Sequence, residues 1–106
     1  MQQLKPSQAA ERLAGGWAPF VLDVRTQDEA DISNLHFTDM LCAHDCLESI
    51  LDRLPRDRDL FIYCRSGGRS AYACAWLEAL GYGPTFNLDG GINAWAQSVD
   101  PALTVY

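Results

Sequence analysis

Positive charge is scarce in this 106-residue chain: eight Lys and Arg stand against fourteen Asp and Glu, for a net charge of −6. A surface of that sign repels phosphate backbones and anionic headgroups, so neither nucleic acid nor a membrane surface is an expected partner. Long apolar runs are also missing: none approaches the roughly 20 residues of a membrane span. The opening Met1-Gln2-Gln3 leads into no signal-peptide core, and the expectation is a soluble, cytoplasmic protein. There are no internal repeats and no low-complexity tracts. Histidine occurs twice, and no second Cys/His pair at finger spacing accompanies Cys42-Ala43-His44-Asp45-Cys46 with nearby His36, so no metal is expected there. No cofactor is expected either.

What is present is globular. Apolar residues make up 48% and charged residues 21% of the chain, enough for one core in a single domain spanning residues 1–106. Such a chain needs no covalent staples, so Cys42, Cys46, Cys64 and Cys74 are read as thiols. Cys42 and Cys46 are expected to be incidental, and Cys74 to be core.

Short elements alternate along the chain. Leu4 to Leu13 carries a helical apolar stripe ended by Gly15-Gly16, and Phe20 to Val24 reads as a buried strand. Leu47 to Leu54 has helical spacing stopped by Pro55, and Leu60 to Tyr63 is a second buried strand. Ser70 to Leu80 is helical, Thr85 to Leu88 is a strand, and Ile92 to Ala96 is a short helix anchored in the core by Ile92 and Trp95. Alternation of this kind predicts an α/β domain with parallel strands joined by crossover helices. The stretch from Asp31 to Cys46 shows no clear period.

The chemistry concentrates in Tyr63-Cys64-Arg65-Ser66-Gly67-Gly68-Arg69-Ser70, a cysteine at a strand end followed by a Gly-containing turn and a helix start. Ligands bind beyond the carboxyl ends of strands in open parallel sheets. A tight loop and a helix N-terminus together aim N–H groups at an anion. Gly67 and Gly68 are able to take the positive φ that turns amides inward. With Arg65 and Arg69 adding positive charge, Cys64 is expected to ionise below the ~8.5 of a free thiol.

Cys64-Arg65-Ser66-Gly67-Gly68-Arg69-Ser70 resembles the active-site loop of the rhodanese (sulfurtransferase) family. Leu22-Asp23-Val24-Arg25 with Glu29 resembles that family's first motif, and Gly81-Tyr82 with Leu88-Asp89-Gly90-Gly91-Ile92-Asn93-Ala94-Trp95 its closing motif. The resemblance covers residues 4–96 and implies a single rhodanese-like domain, an open five-stranded parallel sheet with helices on both faces. It also implies a Cys64 persulfide that takes sulfur from a thiosulfate-like donor and yields it to cyanide or a thiol, including a protein thiol.

In that scheme Cys64 is the nucleophile, while Arg65, Ser66, Gly67, Gly68, Arg69 and Ser70 form the substrate-binding loop. Arg69 is equally able to brace the loop. Asp23 and Arg25 are loop supports, with Arg25 spaced to pair with Glu29 across one helical turn. Asp89-Gly90-Gly91 is a turn beside the site. Only four residues separate Cys64 from Arg69, one fewer than in cysteine phosphatases. The smaller ring suits one terminal sulfur better than a tetrahedral oxyanion, so phosphatase or arsenate reductase chemistry ranks below sulfur transfer. A non-enzymatic persulfide carrier or partner-binding module is the other alternative. The family's Gly-His-Ile-Pro-Gly-Ala run is replaced by Ser33-Asn34-Leu35-His36-Phe37-Thr38, so residues 30–46 are expected to take another path at the rim of the site.

Overall fold

Alternating apolar side chains in three central strands divide the interior into two layers. In Leu60–Tyr63 (β4), Leu60 and Ile62 point to one face of the sheet, as does Cys64 beyond its end, while Phe61 and Tyr63 point to the other. The computed structural model describes every residue from Met1 to Tyr106. Its remaining strands are Gln2–Leu4 (β1), Phe20–Asp23 (β2), Met40–Leu41 (β3) and Thr85–Leu88 (β5). All pair in parallel, in the order β1-β5-β4-β2-β3. The register places Asp23 beside Tyr63 and Ile62 beside Asn87, so the ends of β2 and β4 lie side by side.

Helices Gly68–Ala79 (α3) and the 3₁₀ segment Leu47–Arg53 cover one face, burying Ala73, Cys74, Leu77, Leu47 and Ile50 against Leu22, Leu60 and Ile62. Helices Pro6–Ala14 (α1) and Gly91–Ser98 (α4) cover the other, where Ala9, Ile92 and Trp95 pack on Phe61, Tyr63 and Phe86. A fourth helix, Gln27–Ile32 (α2), follows β2 and starts at Thr26, whose hydroxyl accepts the Glu29 N–H at 3.3 Å. The expected five-stranded parallel sheet with helices on both faces is therefore present. Trp95 is the core anchor the sequence implied, at 6% exposure, and Cys74 is fully buried.

Three local readings change. Leu4 closes a strand rather than opening a helix, because β1 continues the sheet beyond β5 and α1 begins only at Pro6. The apolar spacing of residues 47–54 yields a tighter 3₁₀ segment instead of an α-helix. The segment without a period, residues 31–46, contributes the two-residue edge strand β3. No helix is long and apolar enough to cross a membrane.

Candidate active site

Cys64 sits at the carboxyl end of β4, and its backbone and side chain are held from opposite sides. The Cys64 carbonyl accepts the Ile92 N–H at 2.9 Å and the Arg65 carbonyl accepts the Asn93 N–H at 3.2 Å, both from the first turn of α4. With these carbonyls turned toward α4, the following amides face the sulfur. Gly67 N–H donates to Cys64 Sγ at 3.1 Å and Ser70 N–H at 3.4 Å, with the Ser70 hydroxyl at 3.3 Å. Gly67 makes this turn at φ 105°, a left-handed conformation that glycine enters without cost, and it starts α3 so that the helix N-terminus points at the sulfur. Gly68 takes ordinary helical geometry and lacks the positive φ the sequence allowed it.

Gly91 matters more than its reading as a turn residue suggested. It adopts φ 66°, and a Cβ there would overlap the Arg65 carbonyl and the Ser66 nitrogen. The Cys64–Ser70 loop lies directly on the backbone of the β5–α4 turn.

Two opposing effects set the acidity of Cys64. Burial, the larger single influence, works to raise its pKa. Hydrogen bonds from the Ser70 hydroxyl and from the Ser70, Gly67 and Ser66 amides together outweigh it, and the net movement is downward. The other three thiols move upward. Burial pushes Cys74 up to about 12 and raises Cys42, while the negative charge of Asp45 raises Cys46. Amides and a hydroxyl depress Cys64; the two arginines, which the sequence reading had also credited, are committed elsewhere.

Arg69 pairs with Glu29 through two bonds of 2.7 Å each, tying the start of α3 to α2. That pairing drives the Glu29 carboxyl far below the usual range. Arg65 is exposed, stacks on Tyr106 with its guanidinium carbon 5.0 Å from the ring centroid, and donates to the Tyr106 carbonyl. Arg25 takes Asp23 as its carboxylate partner, at 2.9 and 2.8 Å, and reaches Glu29 only at its backbone carbonyl, 3.3 Å away. The side-chain pairing of Arg25 with Glu29 expected from helical spacing is thus replaced, because Arg69 occupies that carboxylate. Arg25 is fully buried and also bonds the Ser33 carbonyl at 2.8 Å and the Tyr106 hydroxyl at 2.9 Å. The Tyr106 hydroxyl in turn donates to Glu29 at 2.7 Å. Asp23 and Arg25 therefore connect to the loop through Tyr106, Glu29 and Arg69, and neither bonds the loop directly.

A family model described as Rhodanese-like domain matches residues 5–98. This chain is a rhodanese-like domain. It is 40% identical over 98 residues to a protein named Sulfurtransferase from Allochromatium vinosum, a match covering 92% of this chain and 90% of that one. Identity to the probable adenylyltransferase/sulfurtransferase MoeZ of Mycobacterium tuberculosis is 31% over 97% of this chain, which spans 26% of that longer protein. The crystal structure of a rhodanese-like domain protein from Staphylococcus aureus superposes with a TM-score of 0.84 at 25% identity, covering 100% of this chain and 99% of that one.

Beside the loop of the rhodanese-like domain opens a cleft of about 630 Å³, lined by His44, Asp45, Leu47 and Glu48 on one side and by Gly68, Arg69, Tyr72, Ala73 and Trp76 on the other. The atypical 30–46 segment thus ends on the wall of this cleft, at the rim where another path was expected. No group of three or more His, Cys, Asp and Glu side chains is gathered as a metal site.

Sequence reasoning passed over Asn87 and Tyr106. Asn87 is a fully paired amide in a buried strand: it accepts from the Ser70 hydroxyl at 2.5 Å and donates to the Gly67 carbonyl at 3.2 Å and to Gln3 at 2.9 Å. Its polarity inside the Thr85–Leu88 run was the available signal. Tyr106 carried none, since its partner Glu29 lies 77 positions away.

Proposed function

We propose that this rhodanese-like domain transfers sulfane sulfur through a persulfide on Cys64. The observation that carries the reading is a single thiol, among four, whose sulfur accepts two backbone N–H groups at a helix N-terminus, shares a hydrogen bond with the Ser70 hydroxyl, and has a pKa that moves down. The Cys64 thiolate attacks the outer sulfur of a donor such as thiosulfate. A new S–S bond forms, the donor S–S bond breaks, and sulfite leaves with the electron pair. The loop amides hold the charge on the persulfide without reorganising. Cyanide or a thiolate then attacks the outer sulfur, and Cys64 departs as a thiolate into the same amides.

Arg65, exposed at the loop rim, supplies positive charge toward an anionic donor, and Ser66, Gly67 and Ser70 supply donors around the sulfur. Arg69 holds the loop in place through Glu29, and Asp23 with Arg25 supports that contact. Four free thiols suit a reducing compartment such as the cytoplasm.

Mass spectrometry before and after thiosulfate tests the scheme. Wild-type protein gains one sulfur atom, located on Cys64, and a second reagent, cyanide, removes it. Cys64→Ser gains none. An unmodified wild-type mass after exposure to thiosulfate and to a small-molecule persulfide overturns the reading. Steady turnover with both substrates separates a catalyst from a carrier that works only when docked.

A further inference from the structure

The cleft beside the loop is far larger than thiosulfate or cyanide. Its volume of about 630 Å³ lies in the range of sites that enclose much larger molecules, and a compact anion would leave most of it unfilled. Its apolar wall includes Leu47, Trp76 and Tyr72, the last 67% exposed. Its charge is negative. Asp45 and Glu48 are exposed, and neither joins an ion pair, since the ion pairs of the chain use Glu78, Asp23 and Glu29. The one cation lining the cleft, Arg69, is neutralised by its two bonds to Glu29. The chain around it carries a net charge of −6. Both the local and the overall field therefore favour a cation and repel a dianion.

Building on the sulfur-transfer reading, we infer that this cleft docks a protein acceptor, through a segment that presents a cysteine flanked by Arg or Lys and an apolar side chain. The apolar side chain rests on Tyr72 and Trp76, and the basic one meets Asp45 and Glu48. Because Gly68 and Arg69 of the loop that carries Cys64 also line the cleft, a segment seated there lies against that loop, and its cysteine is the acceptor of the Cys64 sulfur. The partner's thiolate attacks the outer sulfur of the Cys64 persulfide. A bond forms between those two sulfurs, the bond from the outer sulfur to Cys64 Sγ breaks, and the electron pair stays on Cys64 as a thiolate. The partner leaves as a persulfide, and no oxidant or reductant enters. The donor side at Arg65 and the acceptor side at Asp45 and Glu48 then carry opposite charge.

The test starts from protein already loaded with sulfur on Cys64, verified by mass, and follows unloading by two synthetic peptides. Each contains one cysteine and one leucine, with flanking arginines in the first and flanking glutamates in the second. The arginine peptide unloads the protein at least about tenfold faster at low salt, and added salt erodes the ratio. Reversing the cleft with Asp45→Lys and Glu48→Lys together inverts the ratio, a comparison within one variant that is insensitive to how much of it is active. Tyr72→Ser raises the KM for the arginine peptide with little change in kcat. Equal rates for the two peptides, or a ratio unmoved by the charge reversal, overturn the inference. So does cysteamine, a small cationic thiol, unloading as fast as the arginine peptide. Failure of Cys64 to load at all is a different result and strikes the sulfur-transfer reading instead.

Discussion

The Ser70 hydroxyl lies 2.5 Å from Asn87 Oδ1 and 3.3 Å from both Cys64 Sγ and the Gly67 carbonyl, and it has one proton for the three of them. Asn87 is fixed in orientation, because its Nδ2 donates to the Gly67 carbonyl and to Gln3. While Cys64 is a thiol, Ser70 donates to Asn87 and accepts the S–H. A thiolate there can only accept, and the Ser70 hydroxyl is among the groups that hold the Cys64 pKa down.

Ser70→Ala removes a hydrogen bond available to the thiolate, which disfavours the charged form and raises the Cys64 pKa. A bond to charge is worth about 1.5–3 kcal/mol, so the rise is about one to two pH units. Ultraviolet thiolate absorbance against pH, with Cys64→Ser as the blank, measures it. Asn87→Ala removes the nearer of the hydroxyl's two competing acceptors, leaving the Gly67 carbonyl, and lowers the pKa; in the Ser70→Ala background it has no such effect. Equal Asn87→Ala shifts in both backgrounds would show that the amide acts only through Gly67.

Alkylation by a small iodoacetamide-type reagent has a lower pH midpoint at Cys64 than at Cys46. Loop amides and Ser70 depress the first pKa against burial, while the Asp45 carboxylate raises the second. The midpoint is the informative quantity, since Cys46 is exposed and Cys64 is buried, so absolute rates also reflect access. Peptide mapping across a pH series reads both sites in one sample. A Cys46 midpoint at or below that of Cys64 would refute the anion cradle.

Gly91→Ala forces a side chain into the Arg65–Ser66 backbone at a positive φ. The expected cost is at least about 1–3 kcal/mol in thermal or denaturant unfolding, together with loss of sulfur loading. Gly68→Ala is the contrasting case. It is helical, a Cβ there meets nothing within 4 Å, and the variant gains about 0.5–1 kcal/mol.

Glu29→Gln removes the carboxylate that anchors Arg69, and stability at neutral pH falls by about 1.5–3 kcal/mol, the range for hydrogen bonds to charge. The folded-state pKa of Glu29 is depressed, so the wild-type advantage is complete above the ordinary carboxylate range. It shrinks as pH falls from that range toward the folded value, where it vanishes. Urea unfolding of both proteins at neutral and acidic pH tests this sign; a difference that grows on acidification contradicts it.

The parts legible in the sequence were those with local causes. Apolar runs marked β2, β4 and β5, and Cys64 followed by Gly67 marked the turn into α3, because strand burial and helix starts depend on neighbouring residues. The edge strands β1 and β3, three and two residues long, have no period to detect and exist only because the sheet offers them a partner. Charge pairing failed for the same reason. Spacing along α2 suggested Arg25 with Glu29, but α3 brings Arg69 to that carboxylate across 40 positions. The cleft between residues 44–48 and α3 and the Tyr106 contacts likewise arise from chain segments that meet only in the folded molecule.

The two helices that hold Cys64 belong to opposite faces of the sheet, α3 through the sulfur and α4 through the carbonyl. Any change in charge or size at the sulfur is therefore felt by the amides of Gly67 and Ser70 on one side. The bond from the Ile92 N–H to the Cys64 carbonyl links the same residue to the opposite layer. Hydrogen exchange at Gly67, Ser70 and Ile92 should then respond together when sulfur is added, giving the empty and loaded forms distinct protection patterns on both faces of one small protein.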